Sequence, residues 1–216
     1  FVPDEPVEIT FAENTKARIR LVDCVGYTVA AAKGYEDDSG PRLVRTPWFE
    51  QPIPFQEAAE LGTRRVITEH STIGLVVTTD GSITDLPRSE YEGPETRVVE
   101  ELKALGKPFV VALNSAHPNS PETQELAQRL RELYGVTVVP LDCLRMSQED
   151  ILQLFAAVLL EFPLREFNVR LPKWVQELKE DHWLRQVYTD LAWETVLRLK
   201  RVKDVQRLAV EAFEAA

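Results

Sequence analysis

Asp23-Cys24-Val25-Gly26 places a carboxylate and a glycine three residues apart, at the end of the alternating run Ala17-Arg18-Ile19-Arg20-Leu21-Val22. A carboxylate at a strand end can hold a water of a phosphate-bound magnesium ion. A glycine just after it can turn its amide toward a terminal phosphate. Asp and Gly are also ordinary turn residues, so a turn-capping aspartate is the competing reading. Three further apolar runs end in polar groups: Thr78-Thr79-Asp80-Gly81, Asn114-Ser115-Ala116-His117 and Asp142-Cys143-Leu144. In open α/β sheets ligands bind at the carboxyl ends of strands, so these four ends are where chemistry is expected.

The elements that must position them follow from the pattern. Val7-Glu8-Ile9-Thr10-Phe11 and residues 17–22 alternate on either side of Asn14-Thr15, which predicts an antiparallel hairpin. Residues 24–70 are irregular and rich in Gly, Pro and charge, with a short helix expected at about 55–69. From residue 71 strands and helices alternate. Ile73–Thr79, Pro108–Leu113 and Val136–Leu141 read as strands. Helices are expected from Pro94 to Gly106, from Ser120-Pro121 to Gly135, and over Ile151–Phe162 after a Ser147/Asp150 capping box. Strands apolar on both faces, alternating with helices, predict a parallel sheet covered on two sides. Residues 172–216 read as mostly helical, with Leu184, Tyr188, Leu191, Thr195, Leu199 and Val202 at three/four spacing.

Composition narrows the function. With 25 basic and 35 acidic residues the net charge is −10, which argues against a bulk nucleic-acid binder. No apolar run reaches the roughly 20 residues that span a bilayer. The sequence begins at Phe1, without Met or a signal-like segment, and is expected to be a fragment of a longer protein. Cys24 and Cys143 are expected as free thiols in a reducing compartment. His70, His117 and His182 match no zinc spacing. Trp48, Phe49 and Phe55 lie in the Pro-broken loop, where packing within the domain competes with an assembly contact. Arg198, Lys200, Arg201, Lys203 and Arg207 form a basic cluster, a solvated face by default and an anionic-partner surface as the alternative.

The order of the strand ends resembles the later part of a GTPase-type P-loop domain. In such domains the penultimate strand ends in Asn-Lys-x-Asp, whose Asp pairs with guanine. The matching residues here are Asn114, Ser115, Ala116 and His117, so the guanine-reading carboxylate is absent and ATP becomes the expected nucleotide. A base contact by Asn114 and His117 competes with loop capping before Pro118.

In detail, the chain resembles the stage IV sporulation protein A family of spore-coat morphogenetic ATPases. The runs Asp23-Cys24-Val25-Gly26-Tyr27, Thr46-Pro47-Trp48-Phe49, Glu57-Ala58-Ala59-Glu60-Leu61-Gly62-Thr63-Arg64, His70-Ser71-Thr72-Ile73-Gly74, Gly106-Lys107-Pro108-Phe109 and Asn114-Ser115-Ala116-His117-Pro118 carry the resemblance. It covers essentially the whole chain and is specific over residues 17–185.

The resemblance implies a cytoskeletal ATPase descended from a GTPase. It would use ATP and Mg2+ to polymerise into a static layer on the forespore surface, in the mother-cell cytoplasm. A small amphipathic membrane peptide would anchor it beneath other coat proteins. Asp23 and Gly26 would be the catalytic pair, with Asp23 holding Mg2+ through water. Asn114, Ser115, His117, Asp142 and Cys143 would lie at the nucleotide.

The implied fold is a three-layer α/β P-loop NTPase sheet, GTPase-like, followed by a helical extension. Residues 1–165 would be the C-terminal part of the ATPase domain, and 166–216 the extension or the start of a middle domain. The phosphate loop Gly-x-x-x-x-Gly-Lys-Ser/Thr occurs nowhere in the chain. Its strand would lie between the strands ending at Asp23 and near Thr79. Either another segment fills that gap or the two strands pair directly, and the chain alone is expected to be inactive. An ordinary regulatory GTPase and a non-catalytic scaffold with a decayed nucleotide fold are the rival readings.

Overall fold

A computed structural model describes residues 3–12, 15–32, 34–37 and 40–214. The chain divides into two compact units, Phe1–Val158 and Leu159–Ala216.

The first unit opens with an antiparallel hairpin. Strands β1 (Val7–Ala12) and β2 (Thr15–Ile19) pair with Val7 opposite Ile19 and Ile9 opposite Ala17. The strand expected to run through Val22 stops early, and residues 20–26 belong to no strand. Since β1 starts opposite Ile19, the hairpin offers nothing beyond it to pair with. Two short antiparallel pairs follow: β3 (Glu36–Asp37) with β4 (Gly40–Pro41), and β5 (Leu43–Val44) with β6 (Ile53–Pro54). Phe55 stacks on Tyr35 at 5.9 Å, and the Trp48 ring lies under Arg65 at 5.1 Å.

Helix α1 (Phe55–Arg65) continues into a π-helical turn, Val66–His70. Lys107 closes that turn. Its ammonium donates to the carbonyls of Ile67, Thr68 (3.1 Å) and Ser71 (2.5 Å). Three carbonyls that the helix end would leave open thus share one cation.

The central sheet is parallel, in the order β7 (Gly74–Thr79), β8 (Phe109–Asn114), β9 (Val138–Leu141). Helix α2 (Ser89–Ala104) joins β7 to β8, and α3 (Pro121–Tyr134) joins β8 to β9. The core is β8, buried from Phe109 to Leu113, packed with Val99 and Leu102 of α2 and Ala127, Leu130 and Tyr134 of α3. Cover on both faces holds for β8 but not for β7. There Val76 and Thr78 are buried, while Leu75 and Val77 are 39% and 60% exposed.

Helix α2 begins at Ser89 rather than Pro94, which sits inside it. A proline there removes one helical hydrogen bond. The offsetting contacts come from Glu95 and, five residues after the proline, Val99, both of which are buried. The Ser120 hydroxyl caps α3 by accepting from Thr123 N at 3.2 Å. Helix α4 (Gln148–Leu160) starts with the expected capping box: Ser147 Oγ accepts from Asp150 N, and Asp150 Oδ2 accepts from Ser147 N at 2.8 Å.

The sheet's two edges differ. Carbonyls of Thr137 and Leu141 accept from Val111 and Ser115 of the β8 side, so the alternate residues Val138 and Pro140 turn outward. The Val138 carbonyl is occupied by Arg131, at 3.1 and 2.8 Å, and Pro140 has no N–H to offer. The outer edge of β9 is therefore blocked. The outer edge of β7 has no strand partner among the described residues.

In the second unit, α5 (Lys173–Gln176), α6 (Trp183–Arg198) and α7 (Val202–Glu214) follow. Glu161 is fully buried and accepts from Arg201 and Lys203, both at 2.6 Å. Two members of the basic cluster thus serve inside the unit. The three/four stripe expected here does not form a buried face. No residue of α6 is buried, and Leu199 leaves the helix with extended backbone.

Candidate functional site

The strands flanking the expected gap do not pair directly. A cavity of about 440 Å³ separates the Val22–Tyr27 segment from β7. Its floor includes Thr78, and Tyr91, Glu95 and Val98 of α2 close one side. A second cavity of about 300 Å³ lies between Asp23–Val25 and the wall formed by Trp48, Gly62 and His70. Asp23, Cys24, Val25 and Thr63 border both. The Thr63 hydroxyl is buried there without a hydrogen bond, although the residue is only 2% exposed. Among the described residues no lysine or arginine lines the larger cavity.

Gly26 has φ +82°, a conformation that a side chain would strain. Tyr27 then leaves the loop toward α2. Its hydroxyl donates to the Glu101 carboxylate, and its ring lies under the Arg97 guanidinium at 4.2 Å. Burial first, and then the hydrogen bond to Glu101, push the Tyr27 hydroxyl far above its ordinary range.

The other predicted residues form a separate cluster at the carboxyl ends of β8 and β9. Asn114 Oδ1 accepts from Cys143 N at 2.9 Å, tying the two strand ends together. Ser115 is fully buried, and its hydroxyl accepts from His117 N at 2.9 Å. Asp142 Oδ1 accepts from Leu144 N at 2.9 Å and Arg145 N at 3.3 Å. Partial burial first, and then the nearby Asp142, raise the Cys143 thiol above its ordinary value. Both cysteines are free and exposed. None of these five residues lines either cavity beside Asp23.

Asp80, in the sequence simply one of the polar groups at a strand end, has a wider role. It accepts from Ser82 N at 2.9 Å and Ser82 Oγ at 2.5 Å, and also from Thr123 Oγ1 at 3.0 Å. Ser82 Oγ in turn accepts from Ala116 N at 2.9 Å. Partial burial pushes the Asp80 carboxyl up, but hydrogen bonds from Ser115, Ser82 and Thr123 outweigh it and hold the pKa below the ordinary value. One carboxylate thus fixes the loops after β7 and β8. The signal in the sequence is the Asp80-Gly81-Ser82 run.

Among the described residues no cluster of three His, Cys, Asp or Glu could hold a metal by itself. Magnesium at a phosphate needs only one or two protein carboxylates, so such a cluster is not required for it.

Residues 1–163 match the family described as Stage IV sporulation protein A, ATPase domain, and residues 164–215 match its middle domain. The chain belongs to the stage IV sporulation protein A family. It is similar to Stage IV sporulation protein A of Bacillus subtilis (strain 168), 52% identical over 208 residues. The protein of the same name in Clostridioides difficile (strain 630) is 44% identical over 206 residues. These alignments cover 96% and 95% of this chain, respectively, and 42% of each relative, so the chain spans about two fifths of their length. No solved structure matches it. The stage IV sporulation protein A ATPase-domain assignment takes in the parallel sheet and both residue clusters. No described helix is long and apolar enough to cross a membrane.

Proposed function

We propose that this chain is the C-terminal part of a GTPase-like, P-loop-type ATPase domain followed by the start of a middle domain. The whole protein would use ATP and Mg2+ to drive its own assembly into a static layer. That layer would form on the forespore surface in the mother-cell cytoplasm, beneath the spore coat. The observation that carries the reading is the difference between the sheet's edges. The outer edge of β9 is blocked by Arg131 and Pro140. That of β7 has no strand partner among the described residues and faces a cavity bordered by the Asp-x-x-Gly segment. Unpaired strand amides facing apolar walls are costly, so a further strand fits there. In this fold type that strand carries the phosphate-binding loop.

The residues present fit part of what a nucleotide requires. Asp23 would hold a magnesium water, and Gly26 has the backbone freedom to present its amide to a phosphate. When bound, Mg2+ would neutralise charge on the transferred phosphoryl group. The unpartnered Thr63 hydroxyl beside Asp23 would gain a polar neighbour from the same segment. At the base loop, Asn114 and Ser115 order the backbone, which leaves the exposed His117 ring free to meet the base. No carboxylate stands where one would read guanine, which supports ATP. Anchoring to a small amphipathic membrane peptide and contacts with coat proteins belong to regions outside this sequence.

The test is hydrolysis and sedimentation of the full-length protein. Asp23→Ala should lower ATP turnover by on the order of 100-fold, the equivalent of the few kcal/mol that metal-borne stabilisation supplies. Unchanged turnover and unchanged assembly would remove Asp23 from the mechanism. Faster turnover of GTP than of ATP would remove the nucleotide assignment.

A further inference from the structure

The Asp23–Gly26 segment belongs to no strand, yet it borders both cavities. The residue that follows it is tied to two helices. Tyr27 donates its hydroxyl to Glu101, 74 positions away, and stacks under Arg97. Arg97 also forms a two-pronged pair with Glu60 of α1, at 2.8 and 2.9 Å. Arg64 of α1 reaches Glu101 at 3.4 Å. The same few side chains therefore bind the loop to α1 and α2 together. Gly26, at φ +82°, is the swivel between the tethered ring and the aspartate.

We propose that Tyr27 is a positioning residue: its tie to Glu101 and Arg97 sets where the Asp23 carboxylate stands relative to β7. The proposal rests on the ATPase reading for its catalytic consequence. Only Cys24, Val25 and Gly26 separate the ring from Asp23, so the tie fixes one end of the short segment that carries the carboxylate. The phenol supplies two separable contacts. Its hydroxyl serves Glu101 as a donor, and its face serves Arg97 through cation–π attraction. Phenylalanine keeps the second contact and loses the first, whereas leucine loses both.

The experiment uses the full-length protein, with two readouts. The first is alkylation by iodoacetamide, mapped by mass spectrometry as the rate at Cys24 relative to Cys143. Both thiols are exposed, so Cys143 serves as an internal reference for general loosening. The second is the division of ATP turnover between kcat and KM. Tyr27→Phe should raise the Cys24/Cys143 ratio several-fold and lower kcat several-fold, with KM and melting temperature unchanged. Tyr27→Leu should exceed it in both readouts. Glu101→Gln, which still accepts from the hydroxyl, should recover most of the wild-type ratio.

An unchanged ratio, or equal acceleration at both cysteines, overturns the tether. A raised ratio with unaltered kcat overturns the positioning role. If the wild-type protein turns over no ATP, the ATPase reading fails and the positioning role goes with it. The alkylation ratio still decides the tether on its own.

Discussion

Arg88 and Glu95 meet across the first two turns of α2 in a two-pronged ion pair, at 2.5 and 2.7 Å, with the Glu95 side chain 2% exposed. The pair lies under β7. Arg88 also donates to Thr78 Oγ1 at 2.8 Å and to the Thr79 carbonyl at 3.2 Å, and Tyr134 donates to Glu95 at 2.6 Å. It fastens the start of α2, the end of β7 and the end of α3.

Removing either partner leaves a buried charge uncompensated. Glu95→Ala or Arg88→Ala should each cost about 3–5 kcal/mol, measured by urea unfolding. A loss below about 1 kcal/mol, the range of exposed pairs, would show that the pair is solvated in solution.

The same pair predicts an acid response. Burial alone would raise the Glu95 pKa, but hydrogen bonds from Arg88, Thr78 and Tyr134 outweigh it and bring it below a glutamate's ordinary 4.5. A depressed folded pKa contributes stability that is present above the unfolded value. It is lost as pH falls from about 4.5 through the folded pKa. Melting curves between pH 7 and pH 3 should show a fall in this window that is smaller in Glu95→Gln. Parallel curves would assign the acid response to other carboxylates.

Lys107→Met keeps the aliphatic stem and removes the ammonium that closes the π-helical turn. The expected loss is about 1.5–3 kcal/mol, the range for hydrogen bonds to a charged group. Hydrogen exchange at residues 66–72 should accelerate more than at β8. Equal acceleration everywhere would mean that the lysine supports the fold at large.

In the second unit, Glu161→Ala should expose the linkage of Arg201 and Lys203 to proteolysis. The expected penalty is about 3–5 kcal/mol on that unit. Cleavage confined to residues 159–214, with the first unit intact, is the predicted pattern. Simultaneous loss of both units would contradict the division of the chain.

Much of this was legible in sequence where a local signal decided the outcome. Phe109–Leu113 is apolar at every position and became the buried strand. Ser120, Ser147 and Asp150 cap as their spacing predicts. Pro94 misled because prolines favour helix starts, while the Arg88–Glu95 pair holds a helix that starts five residues earlier. The site was less legible. Asp23 was visible as a type at a strand end, but its tie through Tyr27 depends on a residue 74 positions away. For Asn114 the sequence leaves a base contact and loop capping open, and the oxygen accepts from Cys143 N, 29 residues away. Such commitments depend on which loops the sheet brings together, and no local spacing encodes them.

Blocking β9 and leaving β7 open gives the sheet a valence of one. A sheet with two live edges can add neighbours without limit and grow fibres. This one can join a strand at β7, while at β9 the Val138 carbonyl is taken by Arg131 and Pro140 has no amide to offer. An isolated preparation of this sequence that self-associates through the sheet should therefore stop at a closed, two-fold pair, β7 against β7. Arg131 and Pro140 are what terminate the series.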